Sequence, residues 1–157
     1  MVHLEAMNQL EILKLGALPI GDVGLASIGK LTRLRELELD PCDISRVTDA
    51  GAIHFRGLAR LVKLDLTSQA LTDAGLASFT GMTDLEELDL SYNQGIVGPG
   101  LVHLKDLPKL KRLNLIGTKV SDAALPVLVV LASRTYLDLR NTRVTEDGQA
   151  RLANALL

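Results

Sequence analysis

The sequence predicts an α/β domain of stacked strand–helix units, and three observations lead there. Leucines recur at fixed spacings, the hydrophobic period switches within each unit, and the composition is leucine-heavy and aromatic-poor. Leucine fills 33 of 157 positions, aromatics are 3% and tryptophan is absent. A core of that make-up is one small unit packed many times. The length suits a single domain over residues 1–157, and 47% hydrophobic residues can fill its core.

Leu10, Leu34, Leu61, Leu85 and Leu110 open five units and Arg134 opens a sixth, at spacings of 24, 27, 24, 25 and 24. Three residues later come Leu13, Leu37, Leu64, Leu88, Leu113 and Leu137, and two further on Leu15, Leu39, Leu66, Leu90, Leu115 and Leu139. This Leu-x-Leu alternation has the period of a strand with one buried face. Each unit continues with an apolar residue (Ile20, Val47, Leu71, Ile96, Val120, Val144), followed in most by Asp22, Asp49, Asp73, Asp122 or Glu146.

There the period changes. Leu76, Phe79 and Met82 lie three apart and predict a short helix with one inward stripe. Thr72-Asp73 reads as its start, the Asp carboxylate accepting from free amides of the first turn. Glycines at 24, 51, 75, 100 and 148 are expected to let each helix approach the sheet. Two units depart from the pattern. The second has three extra residues around Pro41-Cys42-Asp43-Ile44-Ser45-Arg46, expected to bulge the turn after its strand; the fourth replaces the acid with Gly98-Pro99-Gly100, where Pro99 suits a first helical position. Val2-His3-Leu4 aligns with Val102-His103-Leu104, so residues 1–9 read as the helical half of a preceding unit. Arg134 and Gln149 in place of leucine form a partial polar cap at the other end.

Leu85-Glu86-Glu87-Leu88-Asp89-Leu90 with Thr72-Asp73-Ala74-Gly75-Leu76 resembles the leucine-rich repeat family in its 24-residue form, as in bacterial repeat proteins and F-box substrate adaptors. The resemblance covers essentially the whole chain. It implies a right-handed curved α/β solenoid with a parallel sheet on the concave side and short helices on the convex side. It also implies a protein-binding role.

Little else in the sequence suggests chemistry. Gly24 to Leu31 comes within one residue of a phosphate-binding loop, but Leu31 replaces the magnesium-binding hydroxyl and fills a core register with Leu25 and Ile28. His3, His54 and His103 share one repeat position and are expected exposed on the convex side, too far apart for one metal. Asp40, Cys42, Asp43 and Asp49 match no cation loop, and Ser91 has no histidine on its face. No enzyme activity, metal or cofactor is expected. A lone Cys42, the lack of an Asn-x-Ser/Thr site and the lack of a basic-then-apolar leader favour a cytoplasmic protein. The longest apolar run, 123–132, is too short to span a bilayer.

A partner is expected on the concave face. Residues between the inward leucines point out of the sheet in two columns: Ile12, Glu36, Lys63, Glu87, Arg112, Tyr136, and Lys14, Glu38, Asp65, Asp89, Asn114, Asp138. The first alternates in sign, which should stabilise it; the second stacks Glu38, Asp65 and Asp89 as like charges, which should cost stability. With Asp40 and Arg140 the face carries four cations and seven acids, repelling nucleic acid and suiting a basic protein segment, with Tyr92 and Tyr136 as aromatic anchors. The alternative is an assembly unit that self-associates or packs on neighbouring domains, through its uncapped edge or through a convex docking patch of Pro126, Val127, Val129 and Val130.

Overall fold

Every Leu-x-Leu motif forms a strand, and all six strands join one parallel sheet in chain order. The computed structural model describes residues 7–16, 18–40 and 46–157. Strands β1 (Ile12–Leu15), β2 (Glu36–Leu39), β3 (Lys63–Asp65), β4 (Glu87–Asp89), β5 (Arg112–Asn114) and β6 (Tyr136–Asp138) are three or four residues long. Their register places Leu13, Leu37, Leu64, Leu88, Leu113 and Leu137 side by side. Only an unslipped register keeps every leucine on the core face, so the pattern enforces it.

The return half of each unit is helical, with the tighter 3-10 form in four of the six units. Helix α1 (Asp22–Ile28) is a full α-helix; α2 (Asp49–Ala52) runs into a 3-10 turn at Ile53–Gly57. The third and fourth units have only 3-10 turns, Gly75–Phe79 and Pro99–His103, with Pro99 at the first turn as expected. The fifth has a 3-10 turn leading into α3 (Leu125–Ala132), and the sixth ends in α4 (Glu146–Asn154). A three-residue turn suffices where only Leu76, Phe79 and Met82 must reach inward, and all three are fully buried. Leu25, Ile28 and Leu31 are buried too, as their core register required. Strands and helices close on a single apolar cluster, in which the rings of Phe55 and Phe79 from successive units meet at 5.7 Å.

The helix starts differ from expectation in an instructive way. Thr72 is the cap: its Oγ1 accepts from the Ala74 amide (3.2 Å), as Thr48 does from Ala50 and Thr145 from Gly148. The aspartates reach across to the next unit instead. Asp22 accepts from the Thr48 amide (2.8 Å) and hydroxyl (2.6 Å), Asp49 from Thr72, and Asp122 from Thr145. Asp73 meets the proline-containing unit and accepts from the amides of Val97, Gly98 and Gly100. Three of the glycines make room for this bond, since a Cβ on Gly51, Gly75 or Gly148 would overlap the carboxylate of Asp22, Asp49 or Asp122, while one on Gly100 would meet the Asp73 backbone. The segment 41–45, with the expected bulge and Cys42, lies outside the described residues, as does His3.

Candidate protein-binding face

The sheet's outward face carries an open groove of about 240 Å³ lined by residues of β3 to β6, among them Lys63, Asp65, Glu87, Asp89, Arg112 and Asp138. The two expected columns are there in register, Glu36 beside Lys63 beside Glu87 beside Arg112 beside Tyr136, and Glu38 beside Asp65 beside Asp89 beside Asn114 beside Asp138.

The acidic column is not the bare self-repelling row that spacing suggested. Asp65 accepts from the Thr67 amide (2.9 Å) and hydroxyl (2.7 Å); Asp89 does the same with Ser91 and also takes the Asn114 amide group (2.7 Å). Asn114 accepts from the Ile116 amide. Asp138 binds Arg140 through amide and guanidinium, with an ion pair at 2.7 Å. That guanidinium holds the Asp138 carboxyl below the usual carboxylate range against partial burial, and the carboxylate raises Arg140 in return. Glu38 pairs with Lys14 at 3.0 Å, and the bond lifts the Lys14 ammonium above its ordinary value. Each acid of this column thus closes the turn after its strand or holds a cation, a local reason for side chains that looked available for a partner.

The other column is the freer one. Among the described residues, Glu36, Lys63, Glu87 and Arg112 form no ion pairs with one another despite their alternating signs. Arg112 lies instead over the ring of Tyr136, 5.6 Å from its centroid. Tyr136 is 64% exposed and Tyr92 51%. Tyr92 sits in the left-handed region at φ 59°, aligned with Ser68, Gly117 and Asn141 in neighbouring units, and its ring packs where a side chain on Gly117 would stand. Both aromatic anchors are therefore presented to solvent.

The family model described as Leucine rich repeat matches residues 43–94 and 59–120. The chain belongs to the leucine-rich repeat family. Solved structures agree on a right-handed curved solenoid. An internalin from Listeria monocytogenes aligns with 97% of this chain and 47% of its own, at 19% identity and a TM-score of 0.69. A plant peptide hormone receptor, RGFR1, in complex with RGF2, aligns with 90% of this chain and 22% of its own (18% identity, TM-score 0.61). The Arabidopsis receptor kinase HAESA, its leucine-rich repeat ectodomain in complex with an IDA peptide hormone ligand, aligns with 74% and 20% (24% identity, TM-score 0.56). This leucine-rich repeat chain thus spans less than half of each of these three structures. No curated protein matches it significantly.

Elsewhere on the leucine-rich repeat solenoid some expected surfaces shrink. Pro126 is exposed and Val130 45% exposed, but Val129 is half-buried and Val127 packs against the core, so the four do not form one outward patch. The helix α3 cannot face all four outward while Leu128, between them, is fully buried. His54 and His103 are half-buried, not fully exposed. No three His, Cys, Asp or Glu side chains gather as a metal set among the described residues.

Sequence reading missed a second polar line, buried inside the turns. Gln69 accepts from the Val47 amide (2.8 Å) and donates to the Leu39 carbonyl; Asn93 accepts from the Leu71 amide (3.1 Å) and donates to the Leu66 and Leu90 carbonyls. Thr118 and Thr142 hold the equivalent carbonyls of Leu115 and Leu139. The signal was present, a polar residue three positions after the second leucine of the last four units (Gln69, Asn93, Thr118, Thr142), but its chemistry varies from unit to unit.

Proposed function

We propose that this chain is a non-catalytic protein-interaction module whose concave face holds a basic segment of a partner protein. The observation that carries the proposal is the pair Glu36 and Glu87, carboxylates on the outer column that, among the described residues, serve no turn and hold no cation. Glu87 lines the groove, which has an exposed tyrosine at its end, and Glu36 stands on the strand beside it, the arrangement in which an aromatic anchor and unspent charge select a partner. Two structures of the same fold are complexes with peptide hormones, which supports a peptide segment as the occupant.

The test uses Glu36→Lys/Glu87→Lys, which breaks no bond within the molecule. Basic peptides captured from a random peptide library by the wild-type chain should lose at least about tenfold in affinity against this variant, read by fluorescence anisotropy. Equal binding by both chains would remove the concave column from the function.

A second reading, self-association, rests on the apolar groove under β6 and α4, lined by Leu137, Leu139, Leu152 and Leu156. Concentration-dependent mass in sedimentation supports it; a monomer at every concentration sinks it.

A further inference from the structure

The charges of this chain are sorted along the strand direction. The segments that lead into the strands (7–11, 29–35, 56–62, 80–86, 104–111 and 133–135) carry nine Lys or Arg against four Asp or Glu. A backbone ladder runs across them: Arg35 donates to Glu11, Val62 to Arg35, Glu86 to Val62 and Lys111 to Glu86. The row is therefore one continuous edge, with neighbours at strand spacing, about 4.8 Å.

Two of its acids are already committed, Asp84 to Lys109 (2.6 Å) and Glu86 to Lys111 (2.8 Å). The field of Arg35 and Arg60 also reaches Asp84, helping Lys109 to hold its carboxyl below the usual range. Arg33, Arg35 and Arg60 are exposed at the first half of the edge. Arg33 donates to the Gln9 side chain; among the described residues the Arg35 and Arg60 side chains have no bonded partner, and Glu11 beside them makes no ion pair.

We infer that this arginine-rich edge is a docking site for an acidic polypeptide segment, distinct from the concave column. Like charges side by side cost stability; among the described residues the Arg35 and Arg60 guanidiniums hold nothing and Arg33 holds only a neutral glutamine side chain, in contrast to the acids of the concave column, each of which closes a turn or pairs with a cation. Arginine in place of lysine at all three positions supplies the planar fork that pairs two-for-two with a carboxylate. A nucleic acid suits the edge less well, because its continuous phosphate chain would be driven against Glu36 and Glu38 next to the arginines. A second copy suits it less well too. The acids at the opposite side, Asp22, Asp49, Asp73 and Asp122, are engaged between units.

The test measures fluorescein-labelled decaglutamate binding by anisotropy at low salt. Wild type should bind, and binding should fade as salt shortens the Debye length toward about 8 Å. Arg33→Glu/Arg35→Glu/Arg60→Glu should weaken it at least about tenfold, while Arg35→Lys/Arg60→Lys should fall between. Glu36→Lys/Glu87→Lys should bind no worse than wild type, so failure here is separable from failure of the concave site. Circular dichroism checks that each variant is folded, and Arg35→Ala alone, with a loss of about threefold, serves if the triple variant is not. The inference is overturned if wild type does not bind, if the triple variant binds equally, if an oligothymidylate of the same charge binds as tightly, or if sedimentation shows the arginines pairing two copies.

Discussion

Asn93 uses one amide for four bonds. It is fully buried, and its nitrogen holds the Leu66, Leu90 and Ser91 carbonyls while its oxygen takes the Leu71 amide. No apolar side chain can replace that set, because the backbone groups it satisfies have no water to turn to. Asn93→Leu should therefore destabilise by roughly 3 kcal/mol, although leucine is the favoured residue almost everywhere else in this core. Thr118→Val removes a single bond to Leu115 and should cost about 1 kcal/mol. Urea unfolding of both variants checks the ratio; equal losses would show that the ladder bonds are not shared as the geometry has them.

Four of the helix starts are stitched to the unit before them by an aspartate, and at Asp122 the stitch depends on charge. Bonds from Thr145 hold the Asp122 carboxyl below its ordinary 3.8, and Arg140 does the same for Asp138. A carboxyl whose folded value is depressed stabilises the fold above its unfolded value and loses that contribution as pH falls through the folded one. Stability should hold through neutral pH and drop below about pH 3.8. At the alkaline end Lys14 and Lys109 are raised by Glu38 and Asp84, so their share is lost only above 10.5. Asp122→Asn keeps an acceptor for the Thr145 amide but loses the titrating charge, and thermal melts from pH 2.5 to 7 should be flatter for it than for wild type. Strands, register and core were legible in the sequence because leucines at fixed offsets allow one packing. The stitches were not. Thr72-Asp73 looks like a self-contained helix cap, and only the stacking of units brings Asp49 to Thr72 and Asp73 to Gly100. The binding face was half legible: the columns fell where alternation put them, but which acids were free depended on turn bonds such as Asp65 with Thr67.

For the molecule as a whole, the same short vocabulary of bonds repeated at each interface leaves its two rims different. The rim before the strands is basic, while that after them carries the stitching aspartates. Net charge averages this away: -2 at pH 7, with an isoelectric point near 5.9. A chromatographic column does not average. Resin touches one side of a protein at a time, so at neutral pH and low salt this chain should be retained by an anion exchanger and also by a cation exchanger, which its isoelectric point alone would forbid. Arg33→Glu/Arg35→Glu/Arg60→Glu should flow through the second while holding tighter to the first, and elution volumes on the two resins would read out which way the molecule lands.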